Sequence, residues 1–99
     1  MDEPFDPSTV KRLVHEILES GTIDYPTHAR KRMGERAVDL QDVENILRCG
    51  IPGKGEHHVS GAWRYKLKTE LMCVVVEFQS KEELTVITAW RNDVPEVKR

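Results

Sequence analysis

Ile51-Pro52-Gly53-Lys54-Gly55 decides the fold, because apolar residues recur at helical spacing before it and at strand spacing after it. Proline and paired glycines make this stretch turn-rich, and the change of period across it separates a helical half from a sheet half. Downstream, Trp63, Tyr65 and Leu67 alternate with Arg64, Lys66 and Lys68, so this strand has one apolar and one cationic face. Four strands are expected, at 56–59, 62–68, 71–78 and 84–91. In the last, Leu84, Val86, Thr88 and Trp90 alternate with Thr85, Ile87, Ala89 and Arg91, a pattern with both faces partly buried.

Upstream, Asp6-Pro7-Ser8 opens a helix in which Val10, Leu13, Val14, Ile17 and Leu18 share one face, ending near Ser20-Gly21. Residues 23–25 read as an extended link, since Pro26 disfavours helical geometry at Tyr25, and Thr27 is placed to cap a second helix over 28–36. Its clearest apolar positions are Ala29 and Met33. Asp39 caps a third helix that buries Val43, Ile46 and Leu47, with Val38 and Val43 placed as a hydrophobic staple and Gly50 as its stop. Helices followed by strands predict an α+β fold: N-terminal helices packed on one face of a four-stranded, mainly antiparallel sheet. The chain reads as a single domain over 1–99, with a helical part at about 7–50, a sheet part at about 56–91 and a polar tail over 92–99.

With 99 residues, 38% hydrophobic and 32% charged, there is material for one core and no second. The net charge of -2 excludes a histone-like coat protein, yet it conceals a basic patch over 28–36 between acidic segments around residues 2–6 and 39–44. The longest apolar run, Leu71 to Val76, is too short to cross a bilayer, so no membrane partner is expected. Cys49 and Cys73 sit in apolar contexts and read as buried thiols; with an acidic N-terminus that lacks an apolar leader, they point to the cytoplasm. No metal site is expected, because the adjacent pair His57-His58 would need distant partners.

The densest chemistry lies in Thr27-His28-Ala29-Arg30-Lys31-Arg32-Met33-Gly34-Glu35-Arg36, where His28, Arg32 and Arg36 fall four residues apart on one helical stripe. Guanidinium forks grip phosphate oxygens and imidazole exchanges protons near neutral pH, so the stripe suits an RNA backbone; a solvated basic face is the plainer reading. Arg36 has a structural alternative, in which it meets helix-end carbonyls or pairs with Asp39 or Asp42. Arg64, Lys66 and Lys68 would add charge on the open face of the sheet, and Tyr65 and Trp90 are either base-stacking or core aromatics.

Thr-His-Ala-Arg-x-Arg-Met-x-x-Arg at 27–36, Val38-Asp39-Leu40-x-Asp42-Val43, and the strand Val86-Ile87-Thr88-Ala89-Trp90-Arg91 together resemble the bacterial domain-of-unknown-function 4258 family over about residues 25–91. Members of that family look like relatives of the RelE-like ribonuclease toxins. The resemblance implies a toxin-type, metal-independent endoribonuclease without a cofactor, cleaving mRNA, including ribosome-bound mRNA. It also implies a small antitoxin partner, in some members one with a zinc-finger domain. In these terms His28 is the general acid or base, Arg32 and Arg36 hold the phosphate, Thr88 donates to it, and Arg64, Lys66 and Arg91 bind RNA. No second histidine stands in the motif, and RelE-like toxins often use arginine, lysine and tyrosine instead. A non-catalytic RNA-binding or protein-interaction module of the same fold remains the alternative, since fold does not fix activity.

Overall fold

The computed structural model describes residues 2–92. Its helices are α1 (Pro7–Ser20), α2 (Thr27–Glu35) and α3 (Leu40–Cys49); its strands are β1 (Thr22–Asp24), β2 (Ile51–Pro52), β3 (Glu56–His57), β4 (Trp63–Lys68), β5 (Met72–Ser80) and β6 (Glu83–Arg91). The α+β organisation is as expected, but the sheet has six strands rather than four and is mixed rather than a simple meander. Its order is β1-β6-β5-β4-β2, with β3 also paired to β4. β1 runs parallel to β6, and every other pairing is antiparallel. The two additional strands, β1 and β2, are three and two residues long, too short to display alternation. Pro52 is admitted because β2 is an edge strand, where a missing N–H breaks no ladder. The expected tail beyond Asn92 lies outside the described residues.

Capping explains the helix boundaries. The Asp6 carboxylate accepts the Thr9 N–H at 2.8 Å, which holds its pKa below the ordinary value. Asp39 and Asp42 form a reciprocal capping box on α3. Gly50 ends α3 where the chain passes so close that a β-carbon would stand 2.6 Å from the Ile46 carbonyl oxygen. Thr27 is not the cap of α2: Pro26 occupies that position without a side-chain bond, and Thr27 is the first helical residue.

One core lies between the helices and one sheet face. Val10, Leu13, Val14 and Ile17 of α1, Ala29 and Met33 of α2, and Val43, Ile46 and Leu47 of α3 meet Tyr65, Leu67, Val74, Val76, Phe78, Leu84, Val86 and Ala89 of the sheet. Full burial of each large aliphatic side chain stabilises the fold by about 1.5–3 kcal/mol relative to exposure. The N-terminal residues close one end of this core. The Tyr65 hydroxyl donates to Glu3 Oε2 at 2.9 Å and accepts the Phe5 N–H at 3.0 Å. Burial, reinforced by Glu3, pushes the Tyr65 pKa up to about 12. Tyr65 is therefore a core residue and cannot stack on a ligand. Cys73 is buried as expected, whereas Cys49 is exposed, lying off the stripe of α3 that carries Val43, Ile46 and Leu47.

The alternation expected across β6 fails at one place. Val76 pairs with Val86 while Val75 pairs with Thr88, which leaves Ile87 as an extra, bulged residue. Beyond the bulge the side chains change face. Ala89 enters the core, while Thr88 and Trp90, opposite Val75 and Cys73, go to the face that bears Arg64, Lys66 and Lys68.

Candidate functional site

Register assembles that second face in rows. Lys66, Val75 and Thr88 lie side by side across β4, β5 and β6, and Lys68, Cys73 and Trp90 form the next row. A cleft of about 240 Å³ opens over the first row, lined by Glu56, His57, His58, Arg64, Lys66, Val75, Ile87 and Thr88. Of the residues expected to act, the structure brings Arg64, Lys66 and Thr88 together here. Arg36 joins them from α2: its Nη1 donates to Thr88 Oγ1 at 3.0 Å and to the Ala89 carbonyl at 3.2 Å. Pairing of Arg36 with Asp39 or Asp42 is not found, because both carboxylates are engaged in the α3 capping box. The half-buried guanidinium instead fastens the end of α2 to β6.

The remaining expectations separate. His28 is exposed and Arg32 half-buried on α2, neither side chain has a hydrogen bond or ion pair among the described residues, and neither lines the cleft. Arg91 pairs with Met72 and follows Ala89 by two residues, which places it on the opposite face of the sheet from Thr88. It therefore cannot be a second clamp beside Arg64.

Two residues set aside in the sequence as an unsupported metal pair belong to the cleft, His57 and His58. The His57 ring packs on Trp63, with centroids 4.8 Å apart. His58 is fixed by a tight turn in which its backbone N–H donates to the Ala62 carbonyl at 2.8 Å, the Gly61 N–H donates to the His58 carbonyl at 2.9 Å, and Gly61 takes φ +94°. His58 Nδ1 lies 2.9 Å from Ser60 Oγ and 3.2 Å from the Ser60 N, so the ring is held through one nitrogen and Nε2 has no partner among the described residues. The sequence signal was present, two imidazoles just before an alternating cationic strand. What it lacked was the pairing of β3 with β4, which sets Glu56 beside Arg64 and the His57 ring beside Trp63 on the other face, leaving His58 as the imidazole on the cleft side.

The charge is graded. Arg64 Nε donates to the half-buried Glu77 carboxylate at 2.6 Å, so much of its charge is matched. Lys66 and Glu56 are 3.9 Å apart and well exposed, a pair of little energetic weight. Three cations, Arg36, Arg64 and Lys66, thus face two carboxylates, and Lys66 is the least committed. Among the described residues no three His, Cys, Asp or Glu side chains are grouped to hold a metal ion, and no helix is long and apolar enough to cross a membrane. A larger concavity of about 420 Å³ between α3 and the β4–β5 turn is lined by Asp42, Asn45, Ile46, Cys49 and residues 69–72, with no cation among them. It offers nothing for a phosphate.

A family model described as "Domain of unknown function (DUF4258)" matches residues 25–91. Comparison with curated proteins and with solved structures gave no match.

Proposed function

The chain belongs to the DUF4258 family, and we propose that the cleft beside β6 binds and cleaves an RNA phosphodiester without a metal ion. The observation that carries the reading is the Arg36–Thr88 bond, which couples the basic helix to a cleft lined by His58, Arg64 and Lys66. His58, whose Nε2 has no hydrogen-bond partner among the described residues, takes the proton of the 2′-hydroxyl. The 2′-oxygen then attacks phosphorus, the bond to the 5′-oxygen breaks, and Lys66 protonates the departing oxygen. The products are a 2′,3′-cyclic phosphate and a 5′-hydroxyl. Thr88 and Arg64 donate to the non-bridging oxygens as charge grows on them. His28 and Arg32 hold flanking phosphates rather than move protons, since neither lines the cleft.

The resemblance to RelE-like ribonuclease toxins supports the same reading, including their use of lysine in place of a second histidine. It extends the proposal to a cytoplasmic toxin that acts on mRNA, free or on the ribosome, and is neutralised by a small protein covering this face.

The test is cleavage of labelled RNA in chelator. Wild-type protein yields cyclic-phosphate ends; His58→Ala and Lys66→Ala each lower kcat by about 10²–10⁴-fold. The double variant His28→Ala, Arg32→Ala raises KM and leaves kcat within a few fold. Collapse of kcat in that double variant, with His58→Ala unaffected, would move the chemistry to the helix and overturn the assignment. The short Arg64–Glu77 pair favours one second reading, a cleft that binds RNA without cutting it. In that case affinity falls steeply with salt and no product forms.

A further inference from the structure

Trp63 and Trp90 have different surroundings. Trp63 packs against the helix-covered core, whereas Trp90 is not among the residues packed there. It stands on the opposite face directly across from Cys73, with Lys68 at the far end of the same row. Cys73 and Val75 are 0% and 8% exposed, yet neither belongs to the central core cluster. Lys68 pairs with Cys73 and Lys66 with Val75, so both lysines share the thiol's side of the sheet, where they oppose the rise that burial gives the Cys73 thiol pKa. Cys73, Val75, Ile87 and Trp90 thus form a second apolar surface, flanked by cations, on the face away from the core that α1, α2 and α3 cover.

We propose that Trp90, on its floor of Cys73 and Val75, is a nucleobase subsite adjoining the phosphate cleft, so that the substrate is an unpaired RNA strand. The proposal rests on the RNA reading above and adds its substrate class. Rows two residues apart along a strand are separated by about 7 Å. A nucleotide whose phosphate sits at Lys66 and Thr88 can therefore lay a neighbouring base on the half-exposed indole, with Lys68 meeting the next phosphate. The cationic row selects a polyanion as occupant, and an aromatic face beside it accepts any base by stacking. Duplex RNA is refused because its bases are already stacked on one another and offer no free face to a side chain on a sheet.

Binding of 2′-O-methyl oligonucleotides tests this without cleavage, since the methylated sugar has no nucleophile. A single strand is expected to bind at least tenfold more tightly than the same sequence as a duplex. Trp90→Leu, which keeps Cys73 covered, weakens single-strand binding roughly tenfold to a hundredfold, and Trp90→Phe restores most of it. A strand with one abasic residue at the subsite binds wild-type protein as weakly as the intact strand binds Trp90→Leu, and the two losses do not add. Equal binding of single strand and duplex, or unchanged affinity in Trp90→Leu alongside intact RNA cleavage, overturns the subsite alone. Failure of wild-type protein to bind any of these strands overturns the RNA reading and the subsite together. Self-association that requires Trp90 and persists in excess oligonucleotide assigns the surface to a second copy of the chain and also overturns the proposal.

Discussion

Within β4, Tyr65 and Leu67 are fully buried in the helix-packed core while Arg64, Lys66 and Lys68, interleaved with them, stand on the face away from α1, α2 and α3. The first face holds side chains through area removed from water. The second holds them through strand register, a short ion pair and a guanidinium brought in from α2. The contrast teaches that one strand can carry stability and chemistry at once, with alternate residues bearing each burden. It also predicts that the two can be damaged separately.

The sharpest separation is expected between neighbours. Leu67→Ala should cost about 2–5 kcal/mol of unfolding free energy, whereas Lys66→Ala should change it by no more than about 0.5 kcal/mol, both read from denaturant midpoints. A similar loss in both variants would break the two-face picture. Arg36→Ala comes next, because it joins the faces. Losing two bonds from a half-buried charged donor should cost about 1.5–3 kcal/mol and also weaken RNA binding, while Arg36→Lys recovers charge without the fork. A stability loss with unaltered RNA affinity would confine Arg36 to a structural role.

The smallest effect concerns the buried face under alkali. The Tyr65 pKa is raised from 10.0 to about 12, so folding resists its ionisation. The linked stability is complete below pH 10 and is lost as pH rises towards 12. Tyr65→Phe should cost about 1 kcal/mol at neutral pH and flatten the alkaline decline, measured as unfolding midpoints from pH 8 to 11. An alkaline decline of the same slope in Tyr65→Phe would show that another group governs it.

The helices and the long strands were legible because each displays its period over several turns or alternations. α1 and α3 even announced their caps at Asp6 and Asp39. β1 and β2 were not legible, since strands of three and two residues carry no period and exist because β6 and β4 offer them partners. Thr27 misled because a capping residue type preceded a helical run, while Pro26, which needs no N–H there, took the position. For the candidate site, Arg64 and Lys66 could be read from alternation, and Thr88 through the family resemblance. The tie from Arg36 to Thr88 and the placing of His58 beside the cleft depend on contacts across 52 residues and on a hairpin register. Local spacing encodes neither. The face on which Arg91 stands could not be read from alternation because of the bulge at Ile87.

That bulge is a phase shift written into a strand. Before it, Leu84 and Val86 mark one parity as interior; after it, Ala89 occupies the interior on the other. Thr88 and Trp90 keep the even numbering of the core residues that precede them and yet face outward. The cleft's chemistry therefore depends on the insertion of Ile87 as much as on the identity of any side chain in it. A sequence that retained Thr88 and Trp90 but restored unbroken alternation would keep the motif on paper and turn it inward, which makes strand phase, rather than motif content, the quantity to compare when relatives of this chain are read for the same site.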